Sequence, residues 1–151
     1  MSTRCQIGFY ESKDQKNSEF EALIYKHSDG YPDGVLPTLV PMCQVFEERR
    51  GMTDTEYLAA WVLASFISFH IKQGRKLSKE LRFIKNRDGI DCLGFGICKG
   101  FHGDIEYFYK VSPNLIQVYE VGEGLPDEWS NIVQEIPIIF LKTDTKKVEM
   151  K

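Results

Sequence analysis

The chain has 151 residues, 42% of them apolar and 27% charged, and it contains no low-complexity tract. Those values are close to globular averages, which argues against a disordered arm and for one domain, 1–151. A formal charge of −3 and a pI of about 5.6 give no overall positive field to draw in a phosphate backbone, so nucleic acid is not an expected partner.

Residues 4–10 alternate Cys5, Ile7 and Phe9 with other side chains, and residues 20–27 set Ala22, Ile24 and Lys26 against Leu23, Tyr25 and His27. Both read as strands, joined by the polar loop 11–19 into a hairpin. No apolar stretch follows Arg4 as a secretory signal would require, and the run 57–69 is shorter than the roughly 20 residues of a membrane span. A cytoplasmic protein without a membrane partner is expected. The cysteines, Cys5, Cys43, Cys92 and Cys98, form no C-x-x-C pair. Cys92 and Cys98 on one extended strand would lie about 20 Å apart, too far to share an ion. All four read as free thiols.

Two Asp-Gly pairs and Pro32 make 28–34 a compact loop of consecutive turns. From 35 to 50, Leu36, Leu39, Val40, Cys43 and Phe46 recur at helical spacing, with Pro37 in the first turn, a kink expected at Pro41 and a stop at Gly51. Thr53 and Glu56 have the spacing of a capping box, and Met52 and Tyr57 that of a hydrophobic staple, so a second helix is expected to start at Thr53. It should end near Gln73 with Gly74 as its stop. Over 57–69 this helix is apolar nearly all round, so it is either sandwiched between the sheet and the first helix or covered on one side by a second copy in a homodimer.

Residues 78–86 give no clear pattern. Beyond the Asp88-Gly89 turn, 92–99, 104–111 and 115–121 read as a meander of strands, 126–134 as a short helix, and 136–142 as a last strand with Pro137 near its start. The fold class is α+β, with an antiparallel sheet of about five or six strands packed on two main helices.

His27-Ser28-Asp29 and His102-Gly103-Asp104 are two H-x-D strings. In extended backbone the His and Asp of each share a side, and two such strings could hold a divalent metal that activates water. Local turn hydrogen bonding is the plainer explanation of both strings, because H-x-D is a string of low specificity. The basic stretch from Arg75 to Arg87 is either a solvated face or a phosphate-binding patch. Gly94-Phe95-Gly96 lacks the companions of an RNA-binding strand, and Gly94, Gly96 and Gly100 do not make a dinucleotide fingerprint. The aromatics Phe101, Tyr107, Phe108, Tyr109 and Tyr119 fit cross-strand packing or a stacking platform.

The opening Met1-Ser2-Thr3-Arg4, the string from Tyr25 to Gly34 (YKHSDGYPDG) and the segment from Gly103 to Tyr109 (GDIEYFY) resemble a group of small uncharacterised proteins frequent in phages and prophages. The resemblance implies a shared fold over most of the chain and no particular activity. The leading expectation is a non-catalytic binding or interaction protein that recognises a protein or small molecule through His27, Asp29, Tyr31 and Asp33. No metal ligand is assigned in it, and the sequence leaves the cofactor unknown. The alternative is a metal-dependent hydrolase using His27, Asp29, His102 and Asp104.

Overall fold

A computed structural model describes residues 3–77 and 94–139. In chain order the elements are β1 (Cys5–Phe9), β2 (Ala22–Lys26), α1 (Pro32–Arg49), α2 (Thr55–Leu77), β3 (Phe95–Ile97), β4 (Tyr107–Ser112), β5 (Leu115–Glu120) and β6 (Ile132–Pro137). The six strands form one sheet in the order β3-β2-β1-β4-β5-β6. Every pairing is antiparallel except that of β1 with β4. This is the expected α+β class. Among the described residues no helix is long and apolar enough to cross a membrane.

β1 is buried on both sides because the sheet carries two unequal cores. Cys5, Ile7 and Phe9 meet Ile24, Tyr109, Val111, Val35, Leu39, Leu58, Val62 and Phe66 on the helix side. On the opposite side Tyr10, Leu23, Ile105, Phe108 and Tyr119 form a smaller cluster covered by loop residues, among them Phe101 and Trp129. The rings of Phe101 and Trp129 meet edge to face, and both pack on Phe108. Cross-strand packing therefore accounts for most of the aromatic group noted in the sequence. Gln6, wholly buried, is tolerated because its amide donates to the Gly100 carbonyl and accepts from the His102 N–H.

Several expectations are corrected. The 92–99, 104–111 and 115–121 strands are not a meander: β3 pairs with β2, and the chain crosses to the other side of β1 to lay down β4 in parallel. Only β4 and β5 make the expected hairpin, with Asn114 in the left-handed region at its turn. The helix expected over 126–134 is a single 3-10 turn, Pro126–Glu128, because 132–134 pair with β5 as part of β6. Pro137 ends that edge strand instead of starting it, which a residue without an N–H tolerates. Residues 140–142 and 78–93, with Cys92 and most of the basic stretch, lie outside the described residues.

α1 starts at Pro32, not Val35, since proline is well placed at a first helical position, and it runs on through Pro37 and Pro41. Both prolines are exposed, so the carbonyls they leave without donors are near solvent. α2 starts at Thr55, two residues after the expected cap. The Asp54 carbonyl accepts its first helical bond from Leu58, and the Asp54 carboxylate is held by Arg50 at 2.6 Å. The staple does not form: Met52 is buried, whereas Tyr57 is exposed under the Arg50 guanidinium. Gly74 does not stop α2, which continues to Leu77. α2 does pack against both the sheet and α1, burying Leu58, Ala59, Val62 and Phe66, but these do not cover it all round, and Tyr57, Trp61 and Phe69 remain more than half exposed.

Burial pushes the thiols of Cys5 and Cys43 up to about 12. Above a pH of about 9 the unfolded chain releases protons that the folded chain retains, so stability is complete below that pH and declines as pH rises toward 12. The decline is about 1.4 kcal/mol per pH unit for each thiol. Urea titrations at pH about 8 and about 10 should show this loss, smaller by roughly 1 kcal/mol in Cys43→Ala. Equal losses in variant and wild type would mean that the Cys43 thiol ionises in the folded protein.

Candidate functional site

The alternation of β2 puts Lys26 on the same side as Ile24, facing the helices, with only 7% of its surface exposed. A cation there needs acceptors, and the chain beyond the strand end provides them. The Lys26 ammonium donates to the carbonyls of Ser28 and of Asp29, the latter at 3.3 Å. It also stands 5.3 Å from the ring centre of Phe66 and 5.9 Å from that of Phe95. Desolvation lowers its pKa, and the nearby charges of Cys5 and Asp29 act in the opposite direction.

To bring those carbonyls round, Asp29 adopts a φ of 55°, a left-handed conformation that aspartate tolerates better than most residues. Gly30 is then clamped. Its N–H donates to the Thr3 carbonyl at 2.9 Å, and its carbonyl accepts the buried Tyr109 hydroxyl at 2.7 Å. A Cβ on Gly30 would stand 2.8 Å from the Thr3 oxygen and 2.9 Å from the Cys5 Cβ, so only glycine fits. Burial raises the pKa of Tyr109 and keeps that hydroxyl protonated. The Tyr31 carbonyl then accepts from the N–H groups of Gly34 and Val35, and α1 begins.

Between this loop and the two helices lies a cavity of about 800 Å³. Lys26, Phe66 and Phe95 line it together with Phe69 and His70 of α2 and Thr38 of α1, and Asp29, Tyr31 and Asp33 stand exposed at its edge. The His70 ring meets Phe95 edge to face at 5.9 Å. The Tyr31 hydroxyl donates to the Asp29 carboxylate at 3.2 Å, and the charge of Asp29, with a lesser part from Asp33, raises its pKa.

Three of the four residues expected to bind ligand, Asp29, Tyr31 and Asp33, thus share one cavity. His27 is elsewhere. Its Nδ1 pairs with the Tyr25 hydroxyl at 2.9 Å on the opposite side of the sheet, where the His102 ring also packs on Tyr25 with centroids 4.7 Å apart. The two H-x-D strings therefore approach each other at Tyr25, which both histidines touch and whose hydroxyl the charge of Asp104 also reaches, while Asp29 does not join them. Asp29 leaves the side of His27 because its left-handed backbone interrupts the extended alternation, and Asp104 faces Arg4 at 3.5 Å. Among the described residues no three His, Cys, Asp or Glu side chains converge on a point that could hold a metal ion. Cys98 Sγ lies 3.8 Å from His102 Nε2, but burial raises the pKa of this thiol, which does not favour a thiolate nucleophile.

The sequence reading missed Lys26, Phe66, Phe69, His70 and Phe95. Lys26 alone left a signal there, as a cation on the core-facing register of a strand. Comparison of the chain with protein-family models, curated proteins and solved structures finds no match.

Lys26→Met keeps the length and apolar stem of the side chain but leaves two loop carbonyls without their donor. It should cost about 2 kcal/mol in a denaturant titration. A variant as stable as the wild type would mean that the ammonium does not hold the loop.

Proposed function

We propose that this chain is a cytoplasmic, non-catalytic binding protein whose ligand enters the cavity between the 27–34 loop and α2. The observation that carries this reading is the cavity itself. It has the size of a small-molecule site, apolar aromatic walls and a few polar groups at fixed places, on a loop held by backbone and buried side-chain hydrogen bonds. A preset loop of this kind lowers the ordering cost that binding would otherwise carry. The hydrolase reading draws on His27 and His102 flanking Tyr25, with Asp104 nearby but paired with Arg4 and Asp29 in the cavity on the other side of the sheet.

Indole is a suitable neutral probe of the cavity. In a titration followed by amide NMR, the shifts should concentrate on residues 26–38, 66–70 and 95, and Thr38→Trp, which fills the cavity, should abolish them. Shifts confined to the Phe101 and Trp129 side of the sheet would contradict this site.

Self-association is a second part of the proposal, favoured by the outer face of α2. Tyr57 and Trp61 are 54% and 55% exposed there, beside Ala60 and Ala64. An apolar face of this kind on a short two-helix layer fits an isologous contact. Sedimentation equilibrium at micromolar concentration should give a dimer mass, and Trp61→Lys a monomer. A monomeric wild type would remove this part and leave the cavity reading intact.

A further inference from the structure

The charges around the cavity are not balanced, and the imbalance bears on what enters it. Besides the imidazole of His70, the charged groups lining it are Lys26, Asp29 and Asp33. The Lys26 charge is already engaged: two carbonyls take its N–H bonds, and it lies deep between two phenylalanine rings. The Asp29 carboxylate accepts from Tyr31. Among the described residues the Asp33 carboxylate takes part in no hydrogen bond or ion pair. It stands exposed at the edge near Asp29, since a Cβ on the adjacent Gly34 would collide with the Asp29 carbonyl and the charges of both carboxylates act on the Tyr31 hydroxyl.

Resting on the reading of this cavity as a binding site, we propose that its ligand is an organic cation, a protonated amine carried on an aromatic or aliphatic body. The amine sits at the edge between Asp29 and Asp33, and the body lies against Phe66, Phe69 and Phe95. Two features of the lining favour that orientation. An anion at the edge would face two carboxylates, whereas an ammonium there gains from both. The exposed rings of Tyr31 and Phe69 offer negative π faces to a cation and repel an anion. The deep ammonium of Lys26 keeps a cationic head out of the floor, so the apolar end of the ligand goes in first.

Three probes with the same ring and tether separate charge from shape: phenethylamine, 2-phenylethanol and 3-phenylpropionate, titrated at neutral pH and followed by amide NMR. Phenethylamine should bind about tenfold tighter than 3-phenylpropionate, with 2-phenylethanol between them. Asp33→Asn should narrow the preference, because one of the two carboxylates is lost, and the double variant Asp29→Asn, Asp33→Asn should abolish it. Equal or tighter binding of 3-phenylpropionate, or a preference for the amine that the double variant leaves undiminished, would overturn the proposal. In either case shifts at Phe95 and His70 would still support the cavity as a site. Failure of all three probes to shift those residues would instead overturn the cavity reading, and this inference with it.

Discussion

Gly30 is buried where the end of β2, the start of β1 and the middle of β4 come together. Its N–H and carbonyl are both used, by Thr3 and by the Tyr109 hydroxyl, and there is no space for a Cβ. A residue fixed in this way turns a surface connection into part of the core. It aligns the carbonyls of Ser28 and Asp29 with the Lys26 ammonium, and it sets where Tyr31 ends the loop and α1 begins. The neighbouring Gly34 obeys the same constraint, because a Cβ there would fall 2.2 Å from the Asp29 oxygen. The cavity exists because the loop cannot relax into it.

Lys26 shows how a polar side chain can shape an apolar layer. Leaving an ammonium unpaired under two helices would be costly, and burial does depress its pKa. The cost is offset by loop carbonyls and aromatic faces, which also prevents Phe66 and Phe95 from closing on one another: their rings lie nearly parallel with centres 6.2 Å apart. The space in front of them remains open to α1 and the loop. On the other side of the sheet the same residue types give the opposite result. There Phe101 meets Phe108 and Trp129 edge to face, and the buried ammonium on that side, Lys110, lies over Tyr10 and donates to the Gln15 carbonyl instead of parting those rings.

Much of the architecture was legible in local pattern. The first hairpin followed from the alternation around Ile7 and Ile24, both helices from their apolar spacing, and the β4–β5 hairpin from Ser112, Pro113 and Asn114. What sequence could not supply was long-range pairing. β3 and β4 look like neighbours, yet they sit on opposite sides of the β1–β2 pair, an arrangement decided by which buried faces match and not by turn chemistry. The start of α2 was misread for a local reason: Asp54, tied to Arg50, precedes the helix in place of Thr53. In the site, the turn-rich string revealed Asp29, Tyr31 and Asp33 but misplaced His27, since a single left-handed residue changes the side to which the chain turns. The α2 side chains lining the cavity looked like any other core residues.

The central claim is that the 27–34 loop is preset by the clamp on Gly30. Native-state hydrogen exchange of the Gly30 amide in the unliganded protein tests it most directly. Bonded to Thr3 and covered by Tyr109, this amide should exchange as slowly as those of β1, opening only when the sheet itself opens. Exchange at the rate of exposed loop amides such as those near Gly122 would contradict the account, because the loop would then be formed by its ligand and not before it.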